Sequence, residues 1–470
     1  MKVEQLYTGC LSEMAYYIAS KGEAAIIDPL RETTPYLEML ERDGMQLKYI
    51  FLTHFHADFV SGQVDLAKAT GAQIVFGPNA NPNYEFHSGK DGELFQIGNV
   101  QLELLHTPGH TMESSSYVLI DEKGDKPYVF TGDCLFIGDV GRPDLAVKSD
   151  LTVEDLASHL YDSLRNKIMT LPDSITVYPN HGAGSACGKN MSKETFDTLG
   201  NQKKVNYALK EDMTREEFVK EVTTGLGAPP QYFPENVRMN KSVNTSFDSV
   251  LSKGTQALTV SEFEELANQE DVLVLDTRAG KAFKLEGTIP GAWYIGIDGG
   301  FAPWVGALIK DIDQKIILLA DEGRVEEVVT RLSRVGYDGA LGYLKGGLEA
   351  WKESGREVEG IESISAEALI ELLKEDKALN PIDVRKPSEY TAEHILKIDT
   401  LPLDELNSRI GELDVNKTYT LHCQSGYRSL IAASILKANG FKSIIDVTGG
   451  FKALIDAGAE HSNFVCPSTL

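Results

Sequence analysis

The sequence predicts a multidomain α/β protein, and three observations support this fold class. The chain has 470 residues, too many for one ordinary hydrophobic core and typical of about three domains. Short apolar strands alternate with fewer helices over residues 1–200, which favours two packed sheets covered by helices. The remainder contains an internal repeat of roughly 100 residues, the common size of one domain.

Hydrophobic periodicity defines the elements of the N-terminal part. The predicted strands are residues 16–20, 24–28, 49–53, 73–76, 100–106, 116–120 and 128–131. The predicted helices are residues 36–43, 62–70 and 152–169. A polar stretch with prolines at 225–244 is the first predicted linker.

The repeat is visible in two short motifs. Val-Leu-Asp-Thr-Arg at 274–278 recurs as Pro-Ile-Asp-Val-Arg at 381–385, and Lys-Gly-Gly-Leu at 345–348 recurs as Thr-Gly-Gly-Phe at 448–451. Each copy is predicted to be a βαβ-type α/β domain, with a boundary near 355–360. The predicted domains are therefore residues 1–245, 255–357 and 361–470.

Composition excludes several classes of function. The formal net charge is −25 and the sequence pI is about 4.8, so the surface repels nucleic acids and anionic membranes. Five scattered cysteines without a CxxC pair do not predict a disulfide framework. The first residues lack the layout of a signal peptide, and no apolar run approaches a membrane span. These features predict a cytoplasmic protein.

Side chains that bind metals follow several predicted strands. Thr-His-Phe-His-Ala-Asp at 53–58 comes directly after one apolar strand, and further histidines and an aspartate follow three others. Ligands gathered from several strand ends are how a rigid scaffold builds a metal site. The candidate ligands are His54, His56, Asp58, His110, Asp133 and His181.

The type and order of these motifs resemble those of the metallo-β-lactamase family. The motifs are the segment at 53–58, Thr-Pro-Gly-His-Thr, Thr-Gly-Asp and Tyr-Pro-Asn-His-Gly. The resemblance implies an αββα sandwich. The family's usual His-x-His-x-Asp-His string ends in a histidine that serves a second metal, and this chain has Phe59 there. Phe59 therefore argues for one metal and against a dinuclear zinc site.

The loop at 135–144 is similar to that of the persulfide dioxygenases, the branch of this family that uses one iron. The similarity implies one Fe(II) in the N-terminal domain, held by His54, His110 and Asp133. Two histidines and one carboxylate leave positions open for O2 and a substrate sulfur. The implied reaction oxidises a low-molecular-weight thiol persulfide to sulfite and the free thiol. The remaining three candidates, His56, Asp58 and His181, would orient ligands or waters, and His56 is alternatively a direct ligand.

Two further residues are candidates for substrate binding. Arg142 is either an anion contact for the persulfide or sulfite, or a structural turn residue. Cys187 either exchanges sulfur near the iron or packs among glycines. The segment after His181 lacks the tyrosine expected in glutathione-using dioxygenases, so a persulfide of coenzyme A or bacillithiol is considered beside one of glutathione.

A second reactive centre is predicted at Leu-His-Cys-Gln-Ser-Gly-Tyr-Arg-Ser, residues 421–429. Cys423 lies between a strand and a helix, where backbone N–H groups and the helix dipole stabilise a thiolate or persulfide. Arg428 adds positive charge for thiosulfate or sulfite. The Cys-x-x-Gly-x-Arg pattern resembles active rhodanese domains, whereas a phosphatase loop is usually longer.

The first repeat lacks this chemistry. An offset of 103 residues places Ala320 opposite Cys423, and the loop Ala-Asp-Glu-Gly-Arg has no nucleophile. The first repeat is therefore predicted to be an inactive rhodanese-like domain.

Together the motifs predict a persulfide dioxygenase–rhodanese fusion that handles thiol persulfides, O2, sulfite and thiosulfate. The alternatives are a glyoxalase II-like thiolester hydrolase with a sulfurtransferase domain and a non-enzymatic sulfur carrier. The resemblance also implies a homo-oligomer, a dimer or a tetramer.

Overall fold

The computed structural model describes residues 1–147, 151–375 and 379–465. Residues 466–470, the end of the third predicted domain, lie outside the described residues. The chain divides into two compact units. The first comprises residues 1–247 with 333–336, and the second comprises 248–332 with the chain from 337 onward. Among the described residues, no helix is both long and apolar enough to cross a membrane.

Two six-stranded sheets form the framework of the first unit. The first sheet contains β1 (Lys2–Thr8), β2 (Glu13–Ser20), β3 (Glu23–Ile27), β4 (Gln46–Phe51), β5 (Gln73–Phe76) and β6 (His87–Ser88), in that order. The second contains β7 (Leu94–Ile97), β8 (Val100–His106), β9 (Ser115–Ile120), β10 (Tyr128–Gly132), β11 (Thr176–Pro179) and β12 (Asp197–Thr198), also in sequence order.

Strand β2 explains why the sheets are covered on both faces. All of its residues are buried, and alternate side chains point to opposite faces of a sheet. Met14, Tyr16 and Ile18 pack between the two sheets, whereas Tyr17 lies in the core beneath the helices. Such a strand is stable only with apolar layers on both sides.

Helices complete an αββα arrangement. In chain order they are α1 (Thr34–Asp43), α2 (Gln63–Thr70), α3 (Val153–Ser163), α4 (Leu199–Val205), α5 (Arg215–Thr223) and α6 (Phe233–Asn240). Leu40 and Leu66 pack against the first sheet, and Leu160 and Phe218 pack against the second. The predicted sandwich is confirmed.

The structure differs from the prediction at two helices. The helix predicted over 152–169 is α3 followed by a π-helical segment, Leu164–Ile168, with Thr152 forming a capping box. The linker predicted over 225–244 instead contains α6, whose Phe233 and Met239 are buried. Pro234 suits the first turn of a helix, so the proline that suggested a linker in fact helps to start α6.

The second unit contains two five-stranded parallel sheets with the same topology. The first has β13 (Ala257–Leu258), β14 (Val272–Asp276), β15 (Trp293–Tyr294), β16 (Lys315–Leu319) and β17 (Ala340–Leu344), in the order β13-β17-β16-β14-β15. The second has β18 (Glu362–Ile364), β19 (Pro381–Asp383), β20 (Asp399–Thr400), β21 (Tyr419–His422) and β22 (Ile444–Val447), in the order β18-β22-β21-β19-β20. The identical orders confirm the internal repeat.

The helices of the second unit follow the same pattern in each repeat. The first repeat is preceded by α7 (Phe247–Gly254) and contains α8 (Val260–Ala267), α9 (Gly280–Glu286), α10 (Phe301–Leu308), α11 (Val325–Arg334) and α12 (Gly347–Glu353). The second contains α13 (Ala366–Lys374), α14 (Pro387–Ala392), α15 (Leu406–Arg409), α16 (Tyr427–Ala438) and α17 (Gly450–Asp456). Each repeat buries an Asp–Arg pair at the end of a central strand: Asp276 with Arg278, and Asp383 with Arg385.

Candidate functional site

The structure brings all six candidate metal ligands together in the first unit. They are buried and lie in loops that follow four strands: β4, β8, β10 and β11. Ligand atoms of His54, His110 and Asp133 lie within 4.8 Å of one another, and those of His56, Asp58 and His181 form a second such group. The strand ends thus gather the ligands as the sequence predicts.

In the first group, two imidazole nitrogens lie close to one carboxylate oxygen. Nε2 of His54 lies 3.8 Å and Nε2 of His110 lies 3.4 Å from the same oxygen, Oδ2 of Asp133. Nδ1 of His110 lies 2.8 Å from the carbonyl of Arg142, to which it donates a hydrogen bond. In a neutral imidazole that donates from Nδ1, Nε2 is the unprotonated nitrogen and can act as a ligand.

His54 is held in the same way by a hydrogen-bonded chain. Oγ1 of Thr53 donates to Oδ2 of Asp28 at 2.8 Å, so its lone pair accepts the Nδ1 proton of His54 at 2.9 Å. Burial, followed by the neighbouring imidazoles, holds the pKa of His54 well below its ordinary value. The neutral form of His54, which is the form that binds a metal, is therefore favoured.

Several polar atoms of the site have no hydrogen-bond partner among the described residues. These are both carboxylate oxygens of Asp133, Nε2 of His181, Nδ1 of His56 and Oδ1 of Asp58. A buried polar atom left unsatisfied costs about 1–3 kcal/mol. Such a concentration of unsatisfied lone pairs fits a bound cation, and the two-histidine, one-carboxylate donor set fits iron.

His56 lies in the second group and has a different environment. Burial lowers its pKa, but the charge and hydrogen bond of Asp28 outweigh burial and raise the pKa above its ordinary value. Nε2 of His56 lies 2.9 Å from Oδ1 of Asp28. Phe59 stacks on the His56 ring, with centroids 4.3 Å apart, and therefore fills the space beside the second group with an apolar side chain.

The side chain of Arg142, the candidate for an anion contact or a structural turn residue, is already paired. Its guanidinium donates from Nε and Nη2 to the Asp144 carboxylate at 2.6 and 2.7 Å, and also to the carbonyls of Ala186 and Gly227. Every nitrogen is engaged, and the side chain is buried. These partners already use the donors of Arg142, which fits the structural alternative, and substrate binding by Arg142 stays a prediction. Its backbone carbonyl orients His110.

Gly141 allows the loop that follows Asp133 to pack closely against Asp133 and His110. A Cβ at this position would lie 2.1 Å from the carbonyl oxygen of Asp133 and 3.0 Å from Nδ1 of His110. Only glycine lets the loop approach two of the candidate ligands this closely.

Cys187 lies beside two of the candidate metal ligands. Its Sγ belongs to a group with Asp133 and His181 whose ligand atoms are within 4.8 Å of one another. Burial, with Asp58 and Asp133, raises the pKa of the Cys187 thiol well above its ordinary value. The sulfur is therefore a neutral thiol when no cation is bound.

A cavity of about 320 Å³ opens beside His110. Most of its lining is apolar, and part of the lining comes from α6, which the sequence did not predict. The lining includes Phe55, Met112, Leu145, Phe233, Val237 and Lys241. Nζ of Lys241 lies 4.9 Å from the centre of the Phe55 ring. The cavity therefore combines apolar walls with one lysine and two carboxylates, Glu113 and Asp144.

The second candidate centre lies in the second unit, between β21 and α16. Cys423 is buried, and its Sγ accepts a hydrogen bond from the backbone N–H of Gly426 at 3.1 Å. Gly426 adopts a positive φ of 108°, which turns that N–H toward the sulfur. The loop thus has the cradle geometry that stabilises an anionic sulfur.

Arg428 lies in this loop, but its charge is already paired. Nη1 and Nη2 donate to the two carboxylate oxygens of Glu389 at 2.6 and 2.8 Å. Burial raises the pKa of Glu389, but the Arg428 guanidinium outweighs burial and lowers it. Arg428 is therefore not an unpaired cation, and its contact with an anionic substrate stays a prediction.

Three residues near Cys423 were not identified from the sequence. Oγ of Ser429 lies 3.7 Å from Sγ of Cys423 and donates to Oδ1 of Asp446 at 2.7 Å. Oδ2 of Asp446 accepts from Nζ of Lys284, a residue of the first repeat, at 2.7 Å. The only signal for this network was a carboxylate within the apolar run of β22.

The first repeat has the same loop backbone without the nucleophile. Gly323 has a φ of 81° and Gly346 a φ of 76°, close to the positive angles of Gly426 and Gly449. Ala320, at the position of Cys423, is buried. The inactive loop predicted from the offset of the two repeats therefore has no side chain able to carry sulfur.

Comparison with known families matches both parts of the chain. Residues 8–181 match the metallo-β-lactamase superfamily. Residues 259–354 and 365–457 each match the rhodanese-like domain.

Individual relatives agree with this division. The human mitochondrial persulfide dioxygenase ETHE1 is 31% identical over 231 residues, which are 48% of this chain and 82% of that protein. The hydroxyacylglutathione hydrolase GloC of Haemophilus influenzae is 28% identical over 195 residues, 37% of this chain and 86% of that protein. A crystal structure of a metallo-β-lactamase from Staphylococcus aureus has a TM-score of 0.64 at 30% identity, covering 73% of this chain and 98% of that one.

Proposed function

Since the chain belongs to the metallo-β-lactamase superfamily, with persulfide dioxygenase relatives, and carries two rhodanese-like domains, we propose that it is a single-iron persulfide dioxygenase fused to a sulfurtransferase. The first activity converts a thiol persulfide, O2 and water into the free thiol, sulfite and two protons. The second moves sulfane sulfur on Cys423. The domains proposed to carry these activities are residues 1–245 and 361–470, with an inactive rhodanese-like domain at 255–357.

One observation carries the dioxygenase proposal: His54, His110 and Asp133 converge on one buried point beside a substrate-sized cavity. Fe(II) bound there would supply the redox chemistry that joins O2 to the terminal sulfur. The chain's own part is to fix the ring orientation and Nδ1 tautomer of both imidazoles through Thr53 and the Arg142 carbonyl. This keeps two Nε2 lone pairs and the Asp133 carboxylate directed at the same ion.

The cavity suggests how the substrate binds. Its volume of about 320 Å³ is within the range of ligand pockets, and its apolar walls suit the stem of a low-molecular-weight thiol. Lys241 would attract an anionic group of that molecule, which the net negative charge of the whole protein repels. The persulfide end would then lie beside His110 and Cys187. Coenzyme A, bacillithiol and glutathione persulfides are the proposed substrates.

The sulfurtransferase proposal rests on the cradle around Cys423. The thiolate attacks the outer sulfur of thiosulfate, the S–S bond of thiosulfate breaks, and sulfite leaves as Cys423 becomes a persulfide anion. The N–H of Gly426 is placed to stabilise the sulfur anion before and after transfer. The reverse reaction, in which sulfite takes sulfur from Cys423, gives thiosulfate.

The test is iron analysis combined with O2 uptake on the three persulfides by the purified full chain. We expect about one iron in each chain and one O2 consumed for each sulfite formed. Zinc in place of iron, with no O2 uptake, would reject the dioxygenase. A Cys423→Ser variant should keep O2 uptake and lose transfer of sulfur from thiosulfate; unchanged transfer would reject Cys423 as the carrier.

A thiolester hydrolase is the second candidate. Two observations favour it: the group formed by His56, Asp58 and His181 has the spacing of a second metal site, and a hydroxyacylglutathione hydrolase is among the relatives. Two metals and hydrolysis of a glutathione thiolester without O2 uptake would identify this activity. The Phe59 ring stacked on His56 argues against it.

A further inference from the structure

The carboxylate of Asp446 is the central group of a buried polar network beside Cys423. Asp446 is fully buried on β22. One of its oxygens accepts from Lys284 and the other accepts from Ser429, each at 2.7 Å. A buried carboxylate is strongly destabilised unless a cation and hydrogen bonds compensate its charge. Lys284 supplies that cation.

This network reaches the reactive sulfur through Ser429. The Ser429 hydroxyl lies 3.7 Å from Sγ of Cys423 and has a single proton. A carboxylate with an uncompensated charge holds that proton firmly in its own hydrogen bond. The hydroxyl of Ser429 then presents only its lone pairs to the sulfur. A carboxylate whose charge is balanced by Lys284 holds it less firmly, so the hydroxyl can turn toward an anionic sulfur.

The other charges near Cys423 occur in pairs within the second repeat. Arg385 binds Asp383 at 2.7 Å, and Arg428 binds Glu389 at 2.6 Å. Burial outweighs the nearby carboxylates and lowers the pKa of His422, the residue before Cys423, which favours its neutral form. Asp446 therefore depends on Lys284, from the first repeat, for the balance of its charge.

The two repeats also share a cavity of about 420 Å³ over the Cys423 loop. Gly426 and Thr448 line it from the second repeat, and Lys284 and Tyr294 line it from the first. The hydroxyl of Tyr427 donates to the carbonyl of Gly296 at 2.8 Å and joins the repeats at its edge. Helix α9, which carries Lys284, is thus placed against the reactive loop.

We propose that Lys284 of the inactive repeat is a positioning residue for Cys423: it balances the charge of Asp446 and so permits Ser429 to support an anionic sulfur. This inference rests on the proposed sulfur-carrier role of Cys423. It gives the first repeat, which has no nucleophile, a direct part in sulfur transfer.

The test uses the full chain and three variants of helix α9. Lys284→Met keeps most of the side-chain length but removes the charge, Lys284→Arg keeps the charge, and Lys281→Met removes an exposed lysine from the same helix. The first measurement is the rate at which iodoacetamide alkylates Cys423 at fixed pH, followed by mass spectrometry of the Cys423 peptide. The second is the transfer of sulfur from thiosulfate to cyanide.

We expect Lys284→Met to slow both rates by about tenfold, since an uncompensated charge then lies near the sulfur. Lys284→Arg should restore both rates to within about threefold of the original chain, since its guanidinium can pair with Asp446. Lys281→Met should leave both rates unchanged. Equal alkylation of Cys423 in the original chain and in Lys284→Met would overturn the proposal.

A double-mutant cycle separates positioning from a general loss of structure. In an Asp446→Asn background there is no carboxylate charge to balance, so Lys284→Met should have no further effect on alkylation. The same slowing in both backgrounds would also overturn the proposal. Alkylation reports Cys423 without turnover, so it distinguishes this failure from failure of the sulfur-carrier function, which Cys423→Ser tests separately.

Discussion

Phe59 stacks on the imidazole of His56, with ring centroids 4.3 Å apart and an angle of 26° between the planes. Phe59 is fully buried, and its ring is part of the wall of the candidate metal site. His56 belongs with Asp58 and His181 to the group whose spacing would suit a second metal. An apolar ring there provides no ligand for that metal.

The substitution Phe59→His should therefore create a second metal site. The new imidazole would join His56, Asp58 and His181, and we expect the metal content to rise from about one to about two ions for each chain. Elemental analysis after loading with Zn²⁺ measures this. Phe59→Leu, which loses the stacking but adds no ligand, is the control, and an equal metal content in both variants would contradict the prediction.

Removal of one proposed ligand should lower both metal content and stability. A bound metal stabilises the folded state by about 2.7 kcal/mol when its concentration is a hundredfold above the dissociation constant. His54→Ala should lose the metal and this stabilisation, as measured by elemental analysis and by urea unfolding with and without added Fe(II) under anaerobic conditions. His159→Ala, in α3 outside the site, should retain both. Full metal content in His54→Ala would exclude His54 as a ligand.

The Arg428–Glu389 pair should make the stability of the second unit depend on acidic pH. The pKa of Glu389 is below its ordinary value in the folded protein, so the unfolded chain takes up the proton first as pH falls. The pair therefore makes its full contribution to the free energy of unfolding above pH 4.5. This contribution is lost as pH falls through the lower pKa that Glu389 has in the folded protein.

Glu389→Gln should consequently lower the unfolding free energy by about 1 kcal/mol at pH 7 and by less at acidic pH. Urea unfolding of both proteins at pH 7 and below pH 4 measures this difference. Glu371→Gln, an exposed carboxyl on α13, is the control and should change little at either pH. A Glu389→Gln effect that grows on acidification would contradict the assignment.

Gly450 should be essential to the shape of the Cys423 loop. Its φ is 61°, and a Cβ there would lie 2.3 Å from the carbonyl oxygen of Cys423. Gly450→Ala should displace that carbonyl and reduce sulfur transfer by about tenfold or more, because misplaced reacting groups lose rate steeply.

Gly458→Ala is the matched control for this substitution. Gly458 also has a positive φ, 81°, but a Cβ there would meet nothing within 4 Å. It should cost about 1–2 kcal/mol of stability from backbone strain alone and leave sulfur transfer unchanged. Equal transfer rates in the two variants would show that the close contact of Gly450 has no role at the loop.

The predicted strands and helices show where sequence patterns succeed and where they fail. The strand before His54 and the helix after Cys423 were predicted because apolar periodicity is a local signal. Helix α6 was not, because its Phe-Pro-Glu-Asn start resembles a polar linker until Phe233 and Met239 are placed in a core. Burial of those side chains depends on distant segments, which no local pattern reports.

The sequence by itself determined the αββα sandwich, the repeat, the group of six candidate ligands and Cys423, because each is visible in short motifs, even where the motifs lie far apart along the chain. Only the tertiary structure decided how the charged side chains are used. Arg142 binds Asp144, Arg428 binds Glu389, and Lys284 binds Asp446 from another repeat. The physical reason is that a charge pairs with whatever counter-charge folding brings within about 3 Å, and residues 162 positions apart can meet only through the fold.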